Sequence, residues 1–360
     1  MKWIKWLVIV VSLVMMGTGV VAAQENKNFE AKIMKVVEEK EIEVGGQRQK
    51  YQKLELKLTK GFNQGKTVIV ENGHQPLANV VVYKEGDRVI VSMGEDLEGK
   101  EIYTIVDYVR KDGLVLLTII FVALTLIVAR LKGLMSILSM VFTFGVVFVY
   151  ILPQLSLGKS PVLVAVLASV IIIPISFYMA HGVSQKTTVA VVSSLLSLGI
   201  TAGLSLLFIR LGRLTGLASE EAGMLLIQRS GDFDMKGLLL SGIIIGALGV
   251  LDDITVAQAG VVNELIKSGE KTNKIKIYKQ AMNVGRDHIS SMVNTLVLAY
   301  AGASMPLLLI FVDNPHPLGE IINYEFLAEE IIRTMVGSIG LILAVPITTA
   351  IAVNWIKKDK

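Results

Sequence analysis

The sequence predicts an α-helical polytopic membrane protein, with about seven transmembrane helices after a signal peptide and a small extracytoplasmic all-β domain. Hydrophobic residues make up 52% of the 360-residue chain, which is a composition typical of membrane proteins. From Gly113 onward, apolar stretches long enough to cross about 30 Å of hydrocarbon follow one another. Between residues 24 and 110, short alternating runs of apolar and polar residues are separated by turn signals.

Residues 1–23 have the pattern of a secretory signal peptide. Lys2 and Lys5 give it a basic start, Leu7–Val14 forms its apolar middle, and a Val-Ala-Ala sequence supplies a small-residue cleavage site at its end. The alternative is an uncleaved anchor helix. Both interpretations predict that the segment that follows lies outside the cytoplasm.

Residues 24–110 are predicted to form an extracytoplasmic β domain. About six alternating runs, such as YQKLELKLT, NVVVYK and DRVIVSM, are typical of short strands, and glycines mark turns, for example at Gly45-Gly46 and Gly86. This number of strands in this length predicts a small barrel or sandwich, with the OB fold as one form. No catalytic constellation occurs here, and we expect His74 to be solvated rather than to bind a metal.

Residues 111–360 are predicted to form a multi-span helical membrane domain. Lysine and arginine side chains collect in the predicted cytoplasmic loop 267–286, whereas loop 313–330 has acidic side chains and no lysine or arginine. The positive-inside rule therefore places the C-terminus in the cytoplasm. Within 210–235, the segment ASEEAGMLLIQ predicts a short amphipathic helix at the membrane interface. The predicted spans are 113–130, 133–152, 161–180, 187–209, 236–258, 288–312 and 331–355.

Charge and cysteine content exclude several classes of function. The formal net charge of +4 is small and spread along the chain, so there is no nucleic-acid-binding signature. The absence of cysteine excludes disulfides, thiolate zinc sites and cysteine nucleophiles. No P-loop motif GxxxxGK[ST] occurs, so the chain is not itself an ATP-driven pump of that type, although it is compatible with a membrane subunit of one.

The stretch Gly242–Leu265 carries two adjacent carboxylates within an apolar helix. Its glycine spacing allows two membrane helices to approach closely. An unpaired charge at bilayer depth costs at least ~2.5–3.5 kcal/mol, so we expect Asp253 to be buried against the sixth span, through Asp287 or Asn294. Asp252 lies on the adjacent stripe. At 100° per residue, one face of this helix contains Gly242, Gly246, Gly249, Asp253, Gly260 and Glu264.

Polar side chains of spans five, six and seven reach a similar depth, in the inner third of the bilayer. The predicted substrate- or ion-binding site consists of Asp252, Asp253, Asp287, Asn294 and Thr348. Their carboxylate, amide and hydroxyl oxygens suit a hard cation or a proton. Two structural alternatives stay open: the aspartates form a solvated helix end, or they pair with Arg286. No catalytic residue, metal site or cofactor is predicted.

Three stretches of the membrane half resemble the YibE/F-like family of bacterial multi-span membrane proteins. They are GALGVLDDITVAQ, GRDHISSMVNTLVLAYAGASMPLLL and RTMVGSIGLILAVPITTAI. The resemblance covers the signal, the extracytoplasmic domain and all the spans. It implies a multi-pass membrane protein, and it carries over no substrate, mechanism or catalytic residue.

Three functions are compatible with the sequence. The first is a secondary transporter or ion- or proton-coupled permease of the plasma membrane, which moves a small ion or small molecule. The second is an intramembrane enzyme that pairs Asp252 or Asp253 with Asp287 as an acid/base dyad, since such dyads need two carboxylates that share a proton. The third is a non-transporting scaffold or accessory subunit, whose outer β domain recruits a partner. The protein's surroundings are the lipid bilayer, and an oligomer or a partner subunit is compatible with all three.

Overall fold

The computed structural model describes residues 28–357 except for 61–62, 75–79, 96–98, 100, 230–232, 269–272 and 314–316. The predicted signal peptide at residues 1–23 lies outside the described residues. The chain divides into two compact units, with the boundary between Leu124 and Thr125.

The first unit contains a five-stranded antiparallel sheet with the strand order β3-β2-β1-β4-β5. The sheet curls like a barrel, because residues beside its two edge strands meet. Lys66 Nζ lies 2.8 Å from Glu101 Oε2, and Asn63 donates a hydrogen bond of 3.3 Å to the Tyr103 hydroxyl. The strands are β1 (Asn28–Val44), β2 (Gln47–Leu58), β3 (Thr67–Asn72), β4 (Arg88–Glu95) and β5 (Glu101–Tyr108).

The interior of this sheet follows the alternation of the sequence. Every second residue along a strand points to the same face, so alternating apolar residues share one side. In β2, Leu54, Leu56 and Leu58 are buried, while Lys57 between them is exposed. The buried apolar residues of the sheet also include Phe29, Ala31, Ile33, Val68, Val70, Tyr83, Val89, Val91 and Tyr103.

One of the six predicted strands is wrong. The run NVVVYK does not form a strand in its described residues 80–84. Instead, the fully buried side chain of Gln52 holds this segment: Tyr83 N–H donates to Gln52 Oε1 at 2.8 Å, and Gln52 Nε2 donates to Tyr83 O at 3.0 Å. A side-chain amide thus supplies the two hydrogen bonds that a neighbouring strand would make.

We expect residues 24–110, produced alone, to fold as an independent β module. The expected far-UV spectrum is of the strand type, and the melt should be cooperative, because this segment has its own buried core. Gln52→Ala should lower its free energy of unfolding by about 2–4 kcal/mol, since two buried backbone groups of Tyr83 lose their partners. Lys57→Ala, in the same strand but exposed, is the control. A helical or unfolded spectrum would contradict the prediction.

The second unit, together with the connection from the β sheet, is helical. The connection α1 (Lys111–Val146) continues through a π-helical turn at Val147–Ile151 into α2 (Leu152–Ser156). The remaining helices are α3 (Pro161–His181), α4 (Gln185–Leu211), α5 (Glu220–Gln228), α6 (Met235–Lys267), α7 (Lys274–Ala303), α8 (Met305–Asp313), α9 (Leu318–Ile321) and α10 (Glu325–Trp355).

Five described helices are long and apolar enough to cross a membrane, or six if a bent pair counts as one span. One of the five is the continuous run Lys111–Ser156 of 46 residues, which is more than twice the ~20 residues that one crossing needs. The helix α5 forms where the amphipathic segment is predicted, and Ser219 caps its N-terminus.

The run Lys111–Ser156 bends sharply at Arg130, where the sequence predicts a break between the first two spans. Arg130 has φ 52° and ψ −130°, which no helix contains. Beyond it, a Cβ atom on Gly133 would lie only 2.5 Å from the carbonyl oxygen of Thr125. In a straight helix these two residues would be about 12 Å apart along the axis, so the chain turns back at this point.

The predicted sixth span, residues 288–312, is not one straight helix. The helix α7 begins much earlier, at Lys274, and the chain bends by 68° between α7 and α8. Pro306 explains the break, because it has no N–H group and its ring collides with the carbonyl four residues before it.

The helices α3, α4, α6, α7 and α10 pack into one bundle. The helices α4 and α10 run antiparallel: Gly340 lies against Thr201 near their middle, and Lys357 N–H donates to Gln185 Oε1 at their other end, at 2.9 Å. The buried residues include large apolar side chains of α3 and α6, such as Phe177, Ile244 and Ile254, and small residues of α4 and α10. This arrangement brings buried polar residues from four helices together.

Candidate functional site

A layer of buried polar side chains links four helices of the bundle. Ser194 of α4 and Thr255 of α6 share a hydrogen bond of 2.7 Å. One turn further along α6, Gln258 Nε2 donates to Thr349 Oγ1 of α10 at 2.7 Å and to the carbonyl oxygen of Ala281 in α7 at 3.0 Å. We call Ser194, Thr255, Gln258 and Thr349 the polar layer; all four are fully buried.

The helix α4 brings hydroxyl groups to this layer because its polar residues recur at spacings of three and four. Such spacings place them on one face of the helix. The hydroxyls of Ser193, Thr201 and Ser205 each donate to the carbonyl four residues earlier, and therefore need no partner on another helix. The fully buried hydroxyl residues of α4 are Thr187, Ser193, Ser194, Ser197, Thr201 and Ser205.

Two glycines allow the other helices to approach the layer. A Cβ atom on Gly340 of α10 would overlap Thr201 Oγ1 and lie 3.3 Å from Thr201 Cβ. A Cβ atom on Gly285 of α7 would lie 2.5 Å from Val345 Cγ1 and 3.1 Å from both amide atoms of Gln258. Any side chain at these positions would therefore push α10 or α7 away from the polar layer.

Several buried polar atoms in and beside the layer lack a hydrogen-bond partner among the described residues. They include Gln258 Oε1 within the layer and Thr348 Oγ1 next to Thr349. Ser197 Oγ and Asp252 Oδ1 are also buried and have no hydrogen-bond partner among the described residues. Buried polar atoms nearly always have partners, so each of these oxygens has free capacity to bind a ligand.

Ser197 and Asp252 lie at the same level of the bundle. The Ser194–Thr255 hydrogen bond aligns α4 with α6, and these helices run antiparallel, since Gly260 at the other end lies beside Lys186. Ser197 is three residues after Ser194 in α4, and Asp252 is three residues before Thr255 in α6. Both are therefore about 4.5 Å along the axes from the hydrogen bond, on the same side of it.

The five residues of the predicted site have different surroundings. Thr348 is fully buried, and Asp252 is half-buried with one buried carboxylate oxygen. Asp253, Asp287 and Asn294 are exposed on the bundle. The structure thus places Thr348 and Asp252 in the bundle that holds the polar layer, and it leaves the other three on its surface.

The prediction that Asp253 packs against the sixth span is wrong. Gly242 and Gly249 are exposed as well, and a Cβ atom on either would meet nothing within 4 Å. Asp253 is about 180° around α6 from Ile244, which is in the centre of the face that packs on α4 and α10. The large apolar side chains take the inner face because they bury more apolar area than glycines do.

The residues of the polar layer, Ser194, Thr255, Gln258 and Thr349, are not among those that the sequence predicts for the site. A signal for α4 was present, because its serines and threonines form one face of an otherwise apolar helix. Gln258 gave no comparable signal, since its partners in α7 and α10 are distant in the chain. At the far end of α10, Arg333 Nη1 lies 3.0 Å from Glu330 Oε1, an ion pair at a spacing of three residues within one helix.

The comparisons with known proteins agree with this architecture. The family model described as YibE/F-like protein matches residues 117–358, which include α3 to α10 and the whole polar layer. No curated protein and no solved structure matches the chain. The match begins after the β sheet, and it covers more than half of the chain. This multi-pass membrane protein belongs to the YibE/F-like family.

Proposed function

We propose that this protein is a secondary transporter or an ion- or proton-coupled permease of the plasma membrane. The observation that supports this most is the polar layer with its unpartnered oxygens, inside a bundle whose outer surface is apolar. Polar atoms at bilayer depth are costly, and in membrane proteins they commonly mark the path of an ion or substrate.

The chemistry of the proposed site favours a small cation or a proton. Thr348, Ser197 and Gln258 offer neutral oxygens, and Asp252 adds a carboxylate at the same level as Ser197. Oxygen ligands of this kind suit hard cations. The exposed residues Asp253, Asp287 and Asn294 then belong to the approach to this site rather than to its centre.

We propose seven crossings, with the β sheet outside and the C-terminus in the cytoplasm. In this arrangement α1 crosses twice because of the bend at Arg130, and α7 with α8 makes one broken span. Reporter fusions at Lys60 and Ser268 should report opposite sides of the membrane, since the basic loop after α6 stays inside. The same side at both positions would rule out this topology.

Flux measurements in proteoliposomes test the proposed function. The full chain should carry sodium ions or protons down an imposed gradient, followed with labelled sodium and with an internal pH dye. Asp252→Asn and Thr348→Val should each lower this flux at least tenfold, because they remove oxygens of the site while preserving shape. Asp253→Asn should lower it less, because that carboxylate is exposed.

Thr118→Val is the matched control for Thr348→Val. Thr118 is exposed on α1, and its hydroxyl donates within its own helix, to Leu114 O at 2.8 Å, so its replacement should leave flux unchanged. Melting temperatures in detergent separate lost transport from lost folding. The proposal would be contradicted if the wild-type protein carried neither sodium ions nor protons, or if the site variants had wild-type flux. Either result would favour a scaffold or an enzyme.

A further inference from the structure

A groove of about 300 Å³ runs between the beginning of α7 and the end of α10. One wall is apolar, and the polar side is formed by Lys274 and Asn354, whose Nζ and Oδ1 atoms are 3.1 Å apart. In the proposed topology, the groove lies at the cytoplasmic ends of these two helices, at the level of the lipid headgroups. Its lining residues are Lys274, Ile275, Tyr278, Ala350, Val353 and Asn354.

This end of the bundle is strongly basic. The ends of α4, α6, α7 and α10 meet here, as the contacts Lys186–Gly260, Lys357–Gln185 and Lys274–Asn354 demonstrate. The described residues of these four helix ends include one acidic side chain, that of Glu264. The lysines of the same residues are Lys186, Lys267, Lys274, Lys276, Lys279 and Lys357.

The start of α7 adds to the positive potential beside the groove. Its first turn has no acidic side chain and begins with Lys274. The N-terminal end of a helix carries a partial positive charge, so a lysine there is unfavourable unless an anion is close by. The ammonium group of Lys274 and the partial positive charge of the helix end therefore lie together where the groove opens.

We propose that this groove binds an anionic phospholipid. The phosphate contacts Lys274 and Asn354 at the mouth, and an acyl chain lies along Ile275, Ala350 and Val353. Basic pockets between the ends of transmembrane helices are suited to lipid headgroups of this charge. The proposal uses the proposed topology but does not depend on transport, because its test measures lipid binding alone.

Thermal shifts of the full chain in detergent test this site. Dioleoyl phosphatidylglycerol should raise the melting temperature more than dioleoyl phosphatidylcholine, which has the same acyl chains and no net charge. Lys274→Gln should remove at least half of this difference by removing the charge. Ala350→Trp should do the same by filling the groove, while every lysine is retained.

Lys236→Gln is the matched control, because Lys236 is an exposed lysine at the opposite end of α6. It should keep the full difference between the two lipids. Equal shifts from both lipids would overturn the proposal, as would a difference that survives in both Lys274→Gln and Ala350→Trp. Glycerol phosphate that reproduces the whole shift would identify a site for free phosphate and would also overturn the lipid assignment.

Discussion

Gly340→Ala is expected to destabilise the helical bundle by about 1–3 kcal/mol, although alanine is normally the better helix former. The added Cβ would overlap Thr201 Oγ1 and lie 3.3 Å from Thr201 Cβ, at the closest approach of α10 and α4. Thr201 is fully buried and bonded to Ser197 O, so it has little room to move. The measurement is the melting temperature of the purified chain in detergent.

Gly337→Ala is the matched control on the same helix. A Cβ atom there would lie 3.5 Å from Leu296 Cδ2, which is an ordinary contact, so this variant should be as stable as the wild type or more so. Adding Thr201→Ala to Gly340→Ala removes the colliding atoms and should recover most of the lost stability. Equal melting of the two single glycine variants would show that α4 and α10 do not pack as closely as described.

Gln258→Leu is expected to lower the free energy of unfolding by about 2–3 kcal/mol and to loosen α7. The substitution keeps the volume but removes two hydrogen bonds, to Thr349 Oγ1 and to the carbonyl of Ala281, each worth about 1 kcal/mol or more in a membrane bundle. Ala281 is fully buried, so water cannot replace the hydrogen bond that its carbonyl would lose. The melting temperature of the chain in detergent measures the loss of stability, and hydrogen exchange of the α7 amides measures the loosening of that helix.

Asn263→Leu, in the same helix, is the control for Gln258→Leu. The Asn263 amide bonds to the exposed side chain of Glu264, and among the described residues it has no hydrogen bond to a second helix, so stability and exchange should stay at wild-type values. If Gln258→Leu also left the exchange of α7 unchanged, the amide would not be what holds this helix to α6 and α10. The hydrogen bonds of Gln258 would then not be what links α6, α7 and α10 in the polar layer.

The features that the sequence predicted correctly depend on neighbours in the chain. The alternation of β2 determines which of its residues are buried, because successive side chains point to opposite faces. The length of the apolar stretches determines where membrane-type helices form. The break near Arg130 is likewise local, and it is present.

The features that the sequence did not predict depend on residues distant in the chain. The segment 80–84 has strand-like residues, yet it is held by Gln52, about thirty positions earlier, so its own pattern could not reveal this. The predicted site shows the same limit. Thr348 and Asp252 have buried oxygens, whereas Asp253, next to Asp252, is exposed, because depth along a helix does not tell which way a side chain points.

For this protein, the sequence by itself determined the class, an α-helical membrane protein with a β domain, because composition and hydrophobic period are properties of each segment alone. Only the tertiary structure decided which face of α6 is inside. The glycine face with Asp253 and the face with Thr255 and Gln258 both have helical spacing, and the choice between them was made by packing. Large apolar side chains of α6 fill the bundle, and the polar side chains among them found partners on α4, α7 and α10.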